Sequence, residues 1–210
     1  TGSSTINGVG ISYNITNFSN SLLISNDAGT GTLDAASNNT GLGHEVFDDL
    51  TSGDNNVGVG MQALTKLTTG SKNIAIGAAS LDANTSGNNN VAVGNEAMTT
   101  NTTGNDNTAL GTGALALATT ASNNTAVGKD SLVAATEGHS NTALGYQTGL
   151  AITTGDNNIA IGYRALYTED TGNRSVAVGD FALTNQNNDD SNYNVGVGYA
   201  AGTSITTGIQ

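Results

Sequence analysis

The sequence predicts an all-β fold, a parallel β-solenoid of about ten coils, from three observations. A glycine recurs every 17 residues along most of the chain, an asparagine lies four residues before it, and the three residues between them alternate in size. A fixed period of this kind indicates a repeat architecture in which each coil stacks on the next. Short alternation of larger apolar and small residues is typical of a β-strand.

The period is regular over ten repeats. Eight consecutive spacings between the anchoring glycines are 17 residues, and the last is 19. Asn lies four places before nine of the ten glycines, and Ser175 replaces it in the ninth repeat. We number each coil from its glycine, so the asparagine stands at −4. The anchoring glycines are Gly43, Gly60, Gly77, Gly94, Gly111, Gly128, Gly145, Gly162, Gly179 and Gly198.

The strand of each coil occupies positions −3 to −1. Positions −3 and −1 carry Val, Ile, Leu or Thr, as in Val91 and Val93, and such residues favour strands. Position −2 is always Ala or Gly, which predicts that another backbone approaches closely. That backbone belongs either to the facing layer of the same chain or to a neighbouring chain.

The rest of the coil predicts two corners and a shorter second side. Position +4 is a large apolar residue in most repeats, such as Leu64 or Met98, and forms a second anchor. Glycine recurs at −7 next to Asn, Asp, Ser or Thr, and these residues favour turns because Gly and Asn tolerate positive φ. We expect a short second strand or extended segment between the corners. Since each coil buries only about three or four apolar side chains, the chain is not expected to stand alone.

The asparagine at −4 has two interpretations. One is a structural ladder, in which stacked amides bond each coil to the next. The other is an array of binding sites on the surface. We favour the ladder, because a corner that repeats in every coil must be satisfied in every coil. Its predicted members are Asn56, Asn73, Asn90, Asn107, Asn124, Asn141 and Asn158.

Composition limits the partners of the chain. Its 17 acidic and 5 basic residues give a net charge of −12. Contacts with phosphates need Lys and Arg, so nucleic acid and anionic lipid are not expected partners. No stretch approaches the roughly 20 apolar residues of a membrane span, so membrane insertion is not expected. The chain has no Cys, which excludes a disulfide framework.

Four of the repeat segments resemble a known family. "NNVAVGNEA" (89–97), "NTALGYQTG" (141–149), "NNIAIGYRA" (157–165) and "RSVAVGDFA" (174–182) resemble the head repeats of trimeric autotransporter adhesins, and equally the repeats of phage and virus tail fibres and of secreted bacterial proteins. The resemblance covers residues 37–202 and implies a left-handed parallel β-roll that packs side by side as a homotrimer. The coil is longer than usual in adhesin heads and no neck motif follows, which favours a tail fibre or secreted fibre.

The two ends of the chain depart from the period. Residues 1–36 are expected to form a cap or connector, with strand regions at 4–16 and 21–25, and residues 37–210 form the repeat array. Gly208 stands where position −7 of an eleventh coil belongs. We therefore expect the natural protein to continue, or another subunit to complete this coil.

No catalytic, cofactor or metal site is expected. His44 and His139 occupy different repeat positions without Cys, and the corner residues Asp54, Asp106 and Asp156 are interpreted as turn formers. The sequence offers one surface candidate. Three tyrosines at position +1, in repeats seven, eight and ten, are expected to form one exposed column that is either an aromatic ladder or a recognition strip: Tyr146, Tyr163 and Tyr199.

These patterns predict a protein that is not an enzyme. The first hypothesis is a segment of an extracellular, cell-surface or virion fibre that acts as a rigid spacer and presents a host receptor- or glycan-recognition function. The second is the subunit of a self-assembling filament, with residues 1–25 completing the next molecule. A third, ice binding, is disfavoured because Thr-x-Thr ranks are absent from the strands. The long coil at 184–194 is the one loop where another function could lie.

Overall fold

The computed structural model describes residues 2–6, 9–15, 17–25, 33–187 and 193–207, with the backbone alone for 2–6 and 9–15. The described residues form an all-β parallel solenoid of ten coils, as the period predicts, and they include no helix. The strands are β1 (Gly2–Ile6), β2 (Val9–Ile15), β3 (Phe18–Ser25), β4 (Ala36–Ser37), β5 (Thr40–Leu42), β6 (Val57–Val59), β7 (Ile74–Ile76), β8 (Val91–Val93), β9 (Thr108–Leu110), β10 (Thr125–Val127), β11 (Thr142–Leu144), β12 (Ile159–Ile161), β13 (Val176–Val178) and β14 (Val195–Val197).

One parallel ladder connects all ten coils. Each strand from β5 to β14 pairs with the same three positions of the next coil, so that Ala75 lies opposite Ala92. The register continues through the 19-residue coil, where Ala177 lies opposite Gly196. At strand spacings of about 4.8 Å, the ten coils make a rod roughly 45 Å long.

Strands β1, β2 and β3 extend this sheet on the N-terminal side of the first coil. Strand β3 pairs in parallel with β5 on one side and antiparallel with β2 on the other, and β2 pairs antiparallel with β1. The region 4–16 therefore contributes to two strands, while 21–25 lies within β3. At the other end, Gly208 lies outside the described residues.

In each strand of the array, the small residue at −2 points into the interior of the coil. Position −2 is buried in the coils, whereas −3 and −1 face out and are partly or largely exposed. A Cβ added to Gly41 would lie 2.7 Å from Cδ1 of Leu23 and 3.0 Å from Cδ2 of Phe47. The close neighbour of position −2 is thus the interior of the same chain, and the alternative of a contact between chains at this position is wrong.

The core is a column of large side chains that face these alanines. It consists of the large residues at +4, all fully buried, together with mostly small residues at +3 and, in several coils, a buried Leu or Ile at +7. A coil is so narrow that each +4 side chain leaves room only for a methyl group or a hydrogen at −2. The +4 column contains Phe47, Leu64, Leu81, Met98, Leu115, Leu132, Leu166 and Leu183.

The second side of the coil is a run of turns in the described repeats, and not the predicted strand or extended segment. Positions +2 and +4 adopt left-handed backbone angles even where they are not glycine, as in Gln62 (φ 60) and Leu64 (φ 56). Each such residue costs roughly 1–2 kcal/mol. Hydrogen bonds between coils offset this cost: Gln62 N–H donates to the carbonyl of His44 at 2.8 Å, and Leu64 N–H donates to that of Ser80 at 3.1 Å.

Candidate functional site

The outward side of the parallel strands forms the first candidate site, which we call the apolar face. It consists of the side chains at −3 and −1 in the ten coils, where sixteen of the twenty are aliphatic, four are Thr and none is charged. Leu42, Leu110 and Leu144 are 49%, 47% and 48% exposed. The face continues onto β3 through Leu22, which pairs with Thr40 and is 40% exposed.

The continuity of the apolar face distinguishes it from scattered exposed apolar residues. In-register pairing places each side chain directly beside its equivalent in the next coil, so two unbroken columns run along the sheet. Monomeric soluble proteins rarely expose contiguous apolar patches of more than a few hundred Å². Larger patches mark contacts with another molecule.

The second candidate site is an aromatic column along one corner, which we call the aromatic strip. The 17-residue period brings Tyr146 and Tyr163 together as stacked rings, with centroids 5.6 Å apart and planes 11° apart. In the next coil position +1 is Asp180, and Phe181 at +2 fills the gap. Its ring lies edge-on, 5.1 Å from Tyr163 and 6.3 Å from Tyr199.

Phe181 was not among the predicted aromatic residues, because it stands at +2 and the predicted column lies at +1. Phe181 has the left-handed φ that is common to position +2, and its ring lies against Tyr163 and Tyr199. The signal in the sequence was an aromatic residue next to the one interruption of the column. With Phe181 included, the aromatic strip is continuous over four coils.

An arginine extends the aromatic strip sideways. The guanidinium carbon of Arg164 lies 5.3 Å from the ring centroid of Tyr163 and 4.9 Å from that of Tyr167. Its Nε donates a hydrogen bond to Oε1 of Gln147 at 3.0 Å. These three neighbours fix the orientation of the cation on a partly exposed aromatic surface.

The asparagines at −4 form a buried ladder. Asn107 N–H donates to Oδ1 of Asn90 at 3.0 Å, and Asn107 Nδ2 donates to the carbonyl of Ala121 at 2.8 Å. Asn107 Oδ1 accepts the backbone N–H of Asn124 at 3.0 Å. The same pattern of bonds recurs at Asn56, Asn73, Asn90, Asn124, Asn141 and Asn158. Each of these side chains is at most 1% exposed, so they offer no surface to a ligand.

A second ladder runs along position −6, where the side chains of Asp54, Asp156 and His139 accept backbone N–H groups of the preceding coil. Oδ1 of Asp54 accepts the backbone N–H of Ser37 at 2.7 Å, and Oδ1 of Asp156 accepts that of His139 at 2.6 Å. Nδ1 of His139 accepts the N–H of Ser122 at 3.0 Å. Within the described part of the chain, no three His, Cys, Asp or Glu side chains lie close enough together to hold a metal ion.

A buried polar cluster interrupts the asparagine ladder, and the repeat pattern did not predict it. Ser175 has no amide to continue the ladder, and Nε2 of Gln186 donates to its Oγ at 2.7 Å. The same Nε2 donates to Oε2 of Glu169 at 2.6 Å, while Oε1 of Gln186 accepts from Nδ2 of Asn194 at 2.9 Å. Glu169, Ser175 and Gln186 are fully buried, and Asn194 is 8% exposed.

In this cluster the side-chain amide of Gln186, at +7, takes the place of the missing asparagine amide at −4. Glu169 and Gln186 both stand at +7, an inward position that is apolar in most other coils. Ser175 was the visible signal, because it is the one residue that breaks the pattern at −4. Gln186 and Asn194 lie within the 19-residue spacing between Gly179 and Gly198, of which residues 188–192 lie outside the described residues.

Comparison with protein-family models, with curated proteins and with solved structures finds no match. In the described ranges, no helix has the length and apolarity required to cross a membrane.

Proposed function

We propose that this chain is a segment of a non-enzymatic, extracellular, cell-surface or virion fibre, in which three copies pack side by side through their apolar faces. The observation that carries the proposal is the orientation of the strands, which puts the alanines inside and the Val, Ile and Leu side chains outside. The resemblance of the repeats to trimeric adhesin heads and tail fibres supports three as the number of chains.

The composition of the apolar face supports a contact with copies of the same chain. An interface core is depleted of charged residues, and this face carries none in ten coils although the chain has 22 charged Asp, Glu, Lys and Arg residues. Full burial of an aliphatic side chain stabilises by roughly 1.5–3 kcal/mol. Burial of sixteen partly or largely exposed aliphatic side chains is therefore expected to offset the cost of association, which is on the order of 4–15 kcal/mol.

The proposed role of such a rod is mechanical and multivalent. In-register ladders of backbone and asparagine bonds run the length of the array and resist bending. Three chains in parallel would display the aromatic strip three times at one level of the fibre. Linked copies bind a surface far more tightly than one copy does, which suits recognition of a host receptor or glycan.

The test of the trimer is the mass in solution, measured by light scattering together with negative-stain images. We expect discrete short rods with three times the 20.9 kDa of one chain. Leu110→Asp in the apolar face is expected to give monomers, because three carboxylates would be buried close together without partners. Leu117→Asp is the matched control, since Leu117 is 48% exposed, like Leu110 at 47%, but lies at +6, outside the apolar face.

Three results would contradict the proposal. A monomeric wild-type chain would leave the apolar face without its partner, and a dimer would mean face-to-face packing of two copies. Equal loss of assembly in the Leu110 and Leu117 variants would show that the apolar face is not the specific contact. Open-ended polymers would favour the filament subunit instead.

A further inference from the structure

The fold does not require aromatic residues in the aromatic strip. The first six coils have the same left-handed turns but carry unrelated residues at +1, with no Phe, Tyr or Trp among them. These residues are His44, Met61, Ala78, Asn95, Thr112 and Lys129. The last four coils therefore carry aromatic side chains that this backbone does not require, and these point to contact with another molecule.

Arg164 is a cation without a carboxylate partner. Its neighbours are Gln147, Tyr163 and Tyr167, and among the described residues no Asp or Glu oxygen pairs with it. The chain has 17 acidic and 5 basic residues, so an unpaired arginine is not the result of a shortage of acids. The nearby Asp180 is used elsewhere, because its Oδ1 accepts the backbone N–H of Tyr163 at 2.8 Å.

The guanidinium of Arg164 is held in place with donors to spare. Only Nε is used in a hydrogen bond, which leaves the terminal N–H groups for a ligand. A guanidinium fixed between aromatic rings has lost most of its side-chain freedom before binding, so less entropy is lost when a ligand arrives. Its planar fork matches a carboxylate through two parallel hydrogen bonds.

We propose that Arg164, Tyr163 and Tyr167 form a binding site for a carboxylate-bearing sugar of a surface glycan. The guanidinium takes the carboxylate, and the partly exposed edges and hydroxyl groups of the two tyrosines contact the sugar ring. A single negative charge fits the site, because a chain of net charge −12 repels a densely charged polyanion. This proposal rests on the fibre function above, since three weak sites at one level of a trimer give useful affinity.

The test uses ligand-observed NMR and titration calorimetry on the full chain, with a glucuronate-containing oligosaccharide as the probe. Its neutral counterpart, in which glucose replaces glucuronate, is the ligand control. We expect the acidic oligosaccharide to bind at least tenfold more tightly than the neutral one. Arg164→Gln is expected to abolish this preference, and Arg164→Lys to retain only part of it, because an ammonium group cannot make the two parallel bonds.

Arg174→Gln is the matched control variant. Arg174 also lies over a tyrosine, with its guanidinium carbon 5.8 Å from the ring centroid of Tyr193, but it is not part of the aromatic strip. This variant is expected to bind like the wild type. Equal loss of binding in both variants would indicate a general charge effect and overturn the site.

Further results would also overturn the proposed sugar site. The proposal fails if the wild type binds neither glucuronate, galacturonate nor sialic acid oligosaccharides, or if it binds acidic and neutral probes alike. Competition by inorganic phosphate at the same concentration as the sugar would indicate a site for any anion, and would overturn the sugar specificity. Light scattering on the same sample separates the two proposals, because a trimer without sugar binding rejects only this site, and a monomer rejects the fibre.

Discussion

Replacing Gly94 by alanine is expected to destabilise the solenoid by about 3–5 kcal/mol, from overpacking and backbone strain together. Gly94 has φ +143, and a Cβ there would lie 2.5 Å from the carbonyl oxygen of Gly111 and 2.9 Å from the backbone nitrogen of Thr112. These are backbone atoms of the next coil, which cannot move aside unless the ladder of coils separates. The measurement is the free energy of unfolding from denaturant titration, made at constant protein concentration.

The chain contains its own control for this substitution. Gly198 has a similar φ of +122, but nothing lies within 4 Å of the position where its Cβ would be. Gly198→Ala is therefore expected to show the backbone strain alone, and to cost less than Gly94→Ala. If the two variants lose the same stability, the close stacking of coils at position 0 does not limit the residue there.

The solenoid architecture could be predicted because the same short sequence pattern is repeated in every coil. A coil of constant length must place the same residue at the same corner each time, so Gly94, Asn90 and their equivalents recur at one spacing. The strand at −3 to −1 could be predicted from the same 17-residue spacing. The stacking of Tyr146 on Tyr163 follows as well, because residues 17 apart are neighbours in a parallel ladder.

The orientation of the strand could not be predicted from alternation, which shows that two faces differ and does not show which one is inside. In most proteins the larger apolar residues face the core. Here the +4 side chain, such as Leu81 or Leu115, fills the narrow coil and leaves room only for Ala at −2. As a consequence, Leu110 and its equivalents lie on the surface, where the proposed contact between chains would form.

The turns on the second side were missed for a different reason. Glu96 and Met98 have no intrinsic preference for positive φ, yet both adopt it. Bonds to the two neighbouring coils hold them there: Glu96 N–H donates to the carbonyl of Ala78 and Met98 N–H to that of Ala114. A conformation selected by stacking leaves no signal in a single repeat.

Replacing Asn107 by serine is expected to destabilise the chain by about 1–3 kcal/mol, since it leaves a buried backbone carbonyl without its donor. The change removes the amide that donates to the Ala121 carbonyl, whereas a serine Oγ can still accept the Asn124 N–H, as Ser21 Oγ accepts that of Asn39 at 2.8 Å. The chain tolerates Ser175 at the equivalent position because Gln186, at +7 of the same coil, donates to the serine Oγ. In the coil of Asn107, position +7 is Ala118, which has no polar group.

This comparison predicts a rescue. The double variant Asn107→Ser with Ala118→Gln reproduces the pair at 175 and 186, and the new amide lies toward Asn101, whose buried Oδ1 has no donor among the described residues. Gln186 makes the corresponding bond to Glu169, which occupies the same position in its own coil. We expect the double variant to recover at least about 1 kcal/mol relative to the sum of the two single changes, measured as a double-mutant cycle in denaturant unfolding. Strict additivity of the two changes would mean that Gln186 does not substitute for the missing asparagine, and that Ser175 is tolerated for reasons outside this cluster.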